Sequence, residues 1–409
     1  MKDVLFISYD GLLDPLGGSQ ILPYVRILTK QKYRIYILSF EKKHMYVAGV
    51  ALLKANLLKD GITWTPLSFT TKLGGVGKLW DLAKMYTWCS FVVLNRHVTI
   101  VHARGHLAAK VALFLKQLFG IKLIFDFRGL WVDERVDKGG WVLSNPLHKL
   151  QYQYFKWVEK KCLLYSDHVV VLTHAVIDEV MYLGNVPRDK VTVIPSCADF
   201  EHFLLADRSR RHYARKIVAV PEKALVLGYL GSVGPMYMLG RFFRLFELAT
   251  ESNLSVHAIL ITQDTQLLKR LMESCVPPTL MSRIHVCSGN REEVPELIAA
   301  MDILVSFIQP SYARMAASPT KLAECFSAGI PAICNDGVGD VSQLMEQLDA
   351  GCIVDPNSDT DLINIISRLD EIKAKGGSRL REQARLLLGL EVAAERYRMV
   401  YEKIGATTC

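Results

Sequence analysis

A short, wholly apolar run that feeds a glycine-bearing turn and then a helical stretch occurs twice in this chain of 409 residues. That repetition limits its folds more than any other feature. The first round starts with Val4–Ser8, followed by a helix over Ser19–Lys30 and a second strand over Arg34–Phe40. Thr99–His102, Leu123–Phe127, His168–Leu172 and Val191–Pro195 read as later strands, with an apolar helix over Leu107–Phe119. The second round opens at Leu225–Leu230, which ends in Gly231-Ser232. Val256–Thr262, Ile284–Cys287, Ile303–Phe307 and Ala332–Cys334 read as its strands, and Arg241–Thr250, Glu293–Ala300 and Thr320–Ser327 as its helices. Continuous apolar strands alternating with helices imply a parallel sheet covered on both faces. Asp199–Arg215 has no clear period and carries Arg208-Ser209-Arg210-Arg211, so it reads as the linker. The expected architecture is α/β, with two doubly wound parallel-sheet domains over 1–200 and 218–385. The segment 386–409 contains an amphipathic helix over Glu391–Lys403.

Composition narrows the class further. Half the residues are apolar and 22% are charged, enough for two sizeable cores. The first apolar run is far shorter than the roughly 20 residues a membrane span needs. The apolar stretch Trp80–Leu94 is broken by Asp81 and Lys84, so no transmembrane helix is expected. No secretory signal precedes the first strand, and the nine cysteines include no Cys-x-x-Cys pair. They read as reduced, buried thiols of a cytoplasmic protein rather than as a zinc site. Residues 1–150 carry 21 Lys and Arg against 10 Asp and Glu, whereas the rest of the chain is slightly acidic. A basic half suits an anionic partner, but it is equally the uneven solvated charge of many proteins. Lys78, Lys84 and Arg96 share one stretch with Trp80, Tyr86, Trp88 and Phe91. Such a mixture suits peripheral contact with the inner face of an anionic membrane, and equally a packed core. No recognition helix or stacking motif points to nucleic acid.

Ligands of open α/β sheets bind beyond the carboxyl ends of the strands. The first such turn holds Gly17 and Gly18, which would let backbone approach a phosphate or sugar; a tight turn before an N-cap at Ser19 explains it as well. The segment Ser318–Pro331 has Pro319 at a helix start and Gly329 past its end. Lys321 falls in the first helical turn, where the dipole disfavours a cation unless an anion docks there. Glu324, one turn on, can accept hydrogen bonds from vicinal hydroxyls. Together they suit a diphosphate and a ribose, or are an ordinary surface pair. After the strand Leu123–Phe127, Asp126, Arg128 and Trp131 combine a carboxylate, a cation and a ring able to stack on a sugar. Asp126 would act as a general base if burial raises its pKa; a structural Asp–Arg pair is the alternative.

Ser318–Pro331 resembles the donor-binding segment of the family-four retaining glycosyltransferases of bacterial surface-polysaccharide type, whose fold is called GT-B. Other pieces fall in that family's order. His102 in Ile100–Gly105 resembles its strand ending in His, and Thr173 its strand ending in Ser or Thr. Val193–Asp199 with Phe203 is similar to its Ile-Pro-Asn-Gly-Val-Asp stretch. Gly228–Ser232 resembles its second-domain first strand, and Glu293–Leu297 its base-contacting loop. The resemblance implies two Rossmann-like domains facing a cleft, with the last helix crossing back to the first. It implies transfer of a sugar from a nucleoside diphosphate donor, with retention, to a glycan or lipid-diphosphate-linked acceptor. Carried over, Glu324 holds the ribose and Lys321 lies near the diphosphate, in a donor site with Ser318, Leu322, Gly231 and Ser232. The backbone around Val294 meets the base, and Gly17 and Gly18 face the donor. His102, Arg128 and Trp131 fall to the acceptor, with Asp126 as catalytic base. No cofactor is implied. Asp359-Thr360-Asp361 matches the metal-binding Asp-x-Asp pattern, but it stands before a helix, where an N-cap explains it, and no metal is expected.

The sequence departs from that pattern in three places. Ala316 stands where a second Glu is usual. Ser232 and Pro235-Met236-Tyr237 stand where an Arg and a Lys are usual. Asp126 replaces a His. The diphosphate charge would then fall to Lys321, with Arg314 or Arg241. Two other readings stay open: a nucleotide-sugar epimerase on the same fold, and a non-catalytic nucleotide-sugar-binding protein, which Ala316 favours.

Overall fold

The computed structural model describes residues 2–30, 33–70, 74–252 and 255–406. It contains two parallel sheets. The first comprises β1 (Lys2–Ser8), β2 (Tyr33–Glu41), β3 (Ile62–Ser68), β4 (Val98–Arg104), β5 (Lys122–Phe127), β6 (His168–Val171) and β7 (Val191–Val193), in the order β3-β2-β1-β4-β5-β6-β7. The second comprises β8 (Leu225–Leu230), β9 (Val256–Ile261), β10 (Ile284–Cys287), β11 (Ile303–Ser306), β12 (Ala332–Cys334) and β13 (Gly351–Ile353), in the order β10-β9-β8-β11-β12-β13. Strand order reverses between β1 and β4, and again between β8 and β11, and crevices at the carboxyl edge form at such switch points. The central strands are buried on both faces, as Val4–Ile7 and Val226–Tyr229 show, which is why they read as unbroken apolar runs.

Two edge strands are absent from the sequence reading. In β3, Ile-Thr-Trp-Thr-Pro-Leu-Ser, Pro66 weakens the strand signal; an edge position tolerates it because no further ladder partner needs its missing N–H. β13 is only three residues long.

The chain divides into one unit of residues 1–195 with 390–409 and another of 196–389. The passage therefore lies at Pro195–Ser196, and the expected linker over Asp199–Arg215 is corrected. Arg208–Ile217 is a helix of the second unit, capped by the Asp207 side chain, which accepts from the Arg210 amide at 2.8 Å. Arg211 and Arg215 point inward to the buried Asp302 at 2.5 and 2.7 Å. An arginine run that looks like a solvated linker is thus part of a helix, with Arg208 exposed and Arg211 turned inward.

The last helix, Leu390–Ala406, belongs to the first unit and buries Tyr397, Val400, Tyr401 and Ile404. The turn with the paired glycines is also corrected. Helix starts at Pro15, and Ser19 Oγ donates back to the Pro15 carbonyl at 2.9 Å instead of capping. Among the described residues no helix is long and apolar enough to cross a membrane. All eight described cysteines are unpaired, and Cys275 is exposed rather than buried; Cys409 lies outside the described residues.

Candidate active site

The second unit places its chemistry at the switch point between β8 and β11. Helix Thr320–Ser327 carries Lys321 in its first turn, and the side chain turns inward, only 8% exposed. Among the described residues its ammonium has no hydrogen-bond partner. It sits between two tyrosine rings, 4.6 Å from the centre of Tyr229 and 4.5 Å from that of Tyr237. Ring faces attract the cation but give it no acceptor. Burial lowers the Lys321 pKa from 10.5 to about 8.

The two rings are held from different directions. Tyr229 lies within β8, and its hydroxyl donates to the Ser232 carbonyl at 2.7 Å, fixing the turn beyond the strand. Tyr237 is held by its backbone. The Met238 amide donates to Phe307 O and the Gln309 amide to Met236 O, so residues 236–238 run beside the chain leaving β11. Gly231, at φ +137°, ends β8 directly over the lysine: a Cβ there would lie 3.0 Å from Nζ, in a conformation only glycine readily adopts.

Glu324 lies three residues on from Lys321, on the same side of the helix. Burial raises its pKa from 4.5 to about 7, while Arg291 and then Lys321 pull the other way. Arg291 belongs to the loop between β10 and helix Val294–Ala299. Asn290 closes that loop by accepting from the Glu292 and Glu293 amides, and its own amide donates to Glu293 Oε2 at 2.8 Å. The site thus offers an unsatisfied buried cation, a carboxylate one turn away that holds its proton up to about neutral pH, and a strand mouth of Gly231 and Ser232. It can bind a diphosphate and grip a diol.

The first unit holds a different cluster at the carboxyl ends of β4 and β5. Asp126 is buried, with Arg104 Nη1 at 3.3 Å, Arg128 Nη1 at 3.6 Å and His102 Nε2 at 3.6 Å. The Tyr397 hydroxyl from the last helix donates to it at 3.3 Å. His102 Nδ1 meets the Tyr401 hydroxyl at 2.7 Å.

Residues 26–197 match the family model described as the glycosyl transferase 4-like domain, and residues 211–386 match the glycosyl transferases group 1 model. The chain is a GT-B glycosyltransferase.

Similar solved structures share its fold at low identity. HepE from Anabaena, solved with UDP and glucose, is 16% identical, with a TM-score of 0.71 over 98% of this chain and all of that one. The sucrose-phosphate synthase of Thermosynechococcus elongatus is 15% identical, with a TM-score of 0.72 over the full length of both. WaaG, a glycosyltransferase involved in lipopolysaccharide biosynthesis, is 15% identical, with a TM-score of 0.63 over 97% of this chain and 99% of that one. No curated protein matches by sequence.

Several expected roles are corrected in this glycosyltransferase. Burial does push the Asp126 carboxyl up, but Arg128, His102 and Arg104 outweigh it and hold it well below the ordinary carboxylate range. A permanently ionised, enclosed carboxylate is a poor base, and Asp126 is the counter-ion of two arginines. His102, expected near the acceptor, is 1% exposed and docks the last helix. Leu322 is buried in the core, and its amide already donates to Pro319 O at 3.1 Å, so neither part reaches a ligand. The Val294 amide itself is taken by Asn290 O, so a base contact here would fall to the neighbouring backbone of that loop. The Gly18 amide is likewise taken by Asp14 O, and Gly17 serves packing: a Cβ on it would overlap the Gly11 carbonyl and Leu12. Arg241 is engaged by Pro356 O and by Asp359, so it is no diphosphate ligand.

Other expected residues stand at the strand ends. Ser318 Oγ accepts from the Ser196 amide at 3.0 Å and keeps its own proton to donate. Arg128 and Trp131 are partly exposed, with Arg135 5.0 Å from the Trp131 ring centre. Arg314 is buried in the turn Tyr312–Ala316, and Ala316 beside it is 1% exposed. Asp359 pairs with Arg241 and Arg244, and Ser358 caps the helix at the Asp361 amide, so the Asp-x-Asp pattern is a helix start.

Sequence reasoning missed the Tyr229 and Tyr237 rings, Arg291, Arg104 and the two helix tyrosines. For Tyr237 a signal existed: the Pro235-Met236-Tyr237 run stands in the stretch where an Arg and a Lys are usual.

Proposed function

We propose that this glycosyltransferase moves a sugar from a nucleoside diphosphate donor, with retention at the anomeric carbon, to a glycan or lipid-diphosphate-linked acceptor. The second unit binds the donor and the first the acceptor. The observation that carries the reading is the Lys321 ammonium, buried at a sheet switch point without a hydrogen-bond partner among the described residues. A buried cation with no acceptor is costly and is retained where an anion completes it. Glu324 would accept from the ribose hydroxyls, and Gly231 and Ser232 would border the phosphates.

No metal is part of this reading, because Lys321 and the start of its helix supply the positive field that a departing diphosphate needs. HepE was solved with UDP and glucose, which supports a uridine donor. WaaG's involvement in lipopolysaccharide biosynthesis supports a bacterial surface polysaccharide as product, made in the cytoplasm at the inner face of a membrane.

The test is thermal stabilisation by UDP, GDP and their sugars, with Lys321→Ala and Glu324→Ala alongside the wild type. Each substitution should weaken binding roughly 10- to 100-fold, the loss of a charge-assisted hydrogen bond of about 1.5–3 kcal/mol. Equal stabilisation of all three proteins sinks the site assignment. Donor consumed without an acceptor would identify an epimerase, and donor bound but never consumed would identify a binding protein. The anomeric configuration of the product, read by NMR, tests retention.

A further inference from the structure

Helix Pro146–Tyr165 presents two unlike faces. Val158, Glu159, Cys162 and Leu163 are buried. Leu147, Leu150, Tyr154 and Trp157 recur at spacings of three and four and form one outward stripe. Leu147 and Leu150 are each 62% exposed and Trp157 57%. Phe114 and Leu118 on the neighbouring helix His106–Phe119 are exposed as well. Lysines lie against the aromatic members. Lys110 sits 5.2 Å from the Tyr154 ring centre, joining the two helices, and Lys161 lies 5.9 Å from that of Trp157.

The charge on three of the helices here is mostly positive; helices Trp131–Asp137 and Ile177–Gly184, which also pack against Pro146–Tyr165, carry the exposed Asp137 and Asp178. Helices Gly74–Asn95, His106–Phe119 and Pro146–Tyr165 contain two carboxylates, Asp81 and Glu159. Both are buried and occupied. Asp81 accepts from the Thr70 amide and hydroxyl and pairs with Lys84. Glu159 meets His106 at 2.7 Å and Lys156 at 2.5 Å. The outward faces of three helices therefore offer aliphatic side chains, aromatic rings and lysines such as Lys149 and Lys160, with no carboxylate. Exposed apolar side chains grouped on adjoining helices suit an interaction surface. The stripe itself is flanked by Lys110, Lys149, Lys160 and Lys161, and cations beside exposed apolar rings are what a polyanionic apolar surface needs.

We propose that the outward face of helix Pro146–Tyr165 docks the enzyme on an anionic phospholipid bilayer. Leu147, Leu150 and Trp157 enter the boundary between headgroups and acyl chains, and Lys149, Lys160 and Lys161 face the lipid phosphates. The inference rests on the reading that the acceptor is membrane-borne, and it supplies that reading with a surface. It adds a second surface to the Trp80–Phe91 stretch that the sequence suggested, where Trp80 and Phe91 are exposed on helix Gly74–Asn95.

The test is co-sedimentation of the full chain with vesicles of phosphatidylcholine alone, or with roughly one-third phosphatidylglycerol. Wild type should bind the anionic vesicles, less as salt rises, and bind the neutral ones at least ~10-fold more weakly. The pair Leu150→Ser and Trp157→Ser, and the pair Lys160→Glu and Lys161→Glu, should each lower binding on the order of 10-fold or more. Leu386→Ser, at an equally exposed leucine of the second unit, should change nothing. Nucleotide-induced stabilisation should stay at the wild-type level in every variant, which separates this outcome from failure of the donor reading. Equal binding by wild type and variants, equal binding to neutral vesicles, or no binding to anionic vesicles overturns the proposal. So does a concentration-dependent dimer that Trp157→Ser disperses, which would make the stripe a self-interface.

Discussion

Lys321 Nζ lies 4.5 Å from the centre of the Tyr237 ring, in the stretch after β8 where the resembled family usually carries an Arg and a Lys. The cation at this point comes instead from helix Thr320–Ser327. The ring holds it in place by cation–π attraction and leaves its protons undirected until a ligand arrives. Tyr237→Phe should therefore keep nucleotide affinity within about 3-fold, whereas Tyr237→Ala should weaken it roughly 10-fold by freeing the ammonium. Calorimetric titration with a nucleotide sugar separates the two.

The depressed Lys321 pKa carries a stability cost of known sign. The folded protein favours the neutral amine, so the penalty is full below pH 8 and fades as pH rises from about 8 toward 10.5. Lys321→Met should raise the stability of the ligand-free protein at pH 7 by about 1–3 kcal/mol while abolishing stabilisation by nucleotide. Thermal melts at pH 7 and pH 10, with and without nucleotide, read both effects. A gain that persists unchanged at pH 10 would mean that charge burial is not its cause.

Donor binding should be bell-shaped in pH. Glu324 becomes the better hydroxyl acceptor as it ionises above about 7, and Lys321 loses its charge above about 8. A nucleotide sugar is a suitable probe because its diphosphate diester does not titrate in this range. Glu324→Gln should flatten the acid limb and leave the alkaline one. A profile unchanged by that substitution would show that Glu324 does not touch the donor.

Asp126→Asn should behave as a folding variant. Removing the carboxylate leaves the Arg104 and Arg128 guanidiniums without their shared counter-ion, a loss of about 3–5 kcal/mol. The stabilising contribution of Asp126 is present above its unfolded pKa of 3.8 and is lost as pH falls toward its lower folded value. Urea unfolding of the variant at pH 7 measures the first effect. If stability were intact and only turnover fell, Asp126 would be the catalytic base after all.

Tyr401→Phe removes the hydroxyl that meets buried His102 and should cost about 1–2 kcal/mol by leaving a ring nitrogen unpaired. Hydrogen exchange should show faster opening of helix Leu390–Ala406, with the second unit unchanged.

Periodicity and chain order made much of this protein legible in its sequence. Two rounds of apolar strand and helix declared two doubly wound sheets, because strands buried on both faces have no polar positions to interrupt them. The helix from Pro319 to Gly329 and its Lys–Glu pair were likewise visible, since capping signals and the helix dipole act over one turn. What only the tertiary structure decided are relations between distant segments. Asp126 reads as a base from its strand end, but Arg128, His102 and Arg104 depress its pKa, and a tyrosine 271 positions further along the chain donates to it. The arginines after Asp207 read as solvated linker until Asp302 is seen beneath them. The tyrosine pair around Lys321 arises because a strand, a returning loop and a helix converge on one point. Local pattern reports which face of an element is buried; the field that a side chain feels is set by whatever packs against it, and no spacing rule carries that.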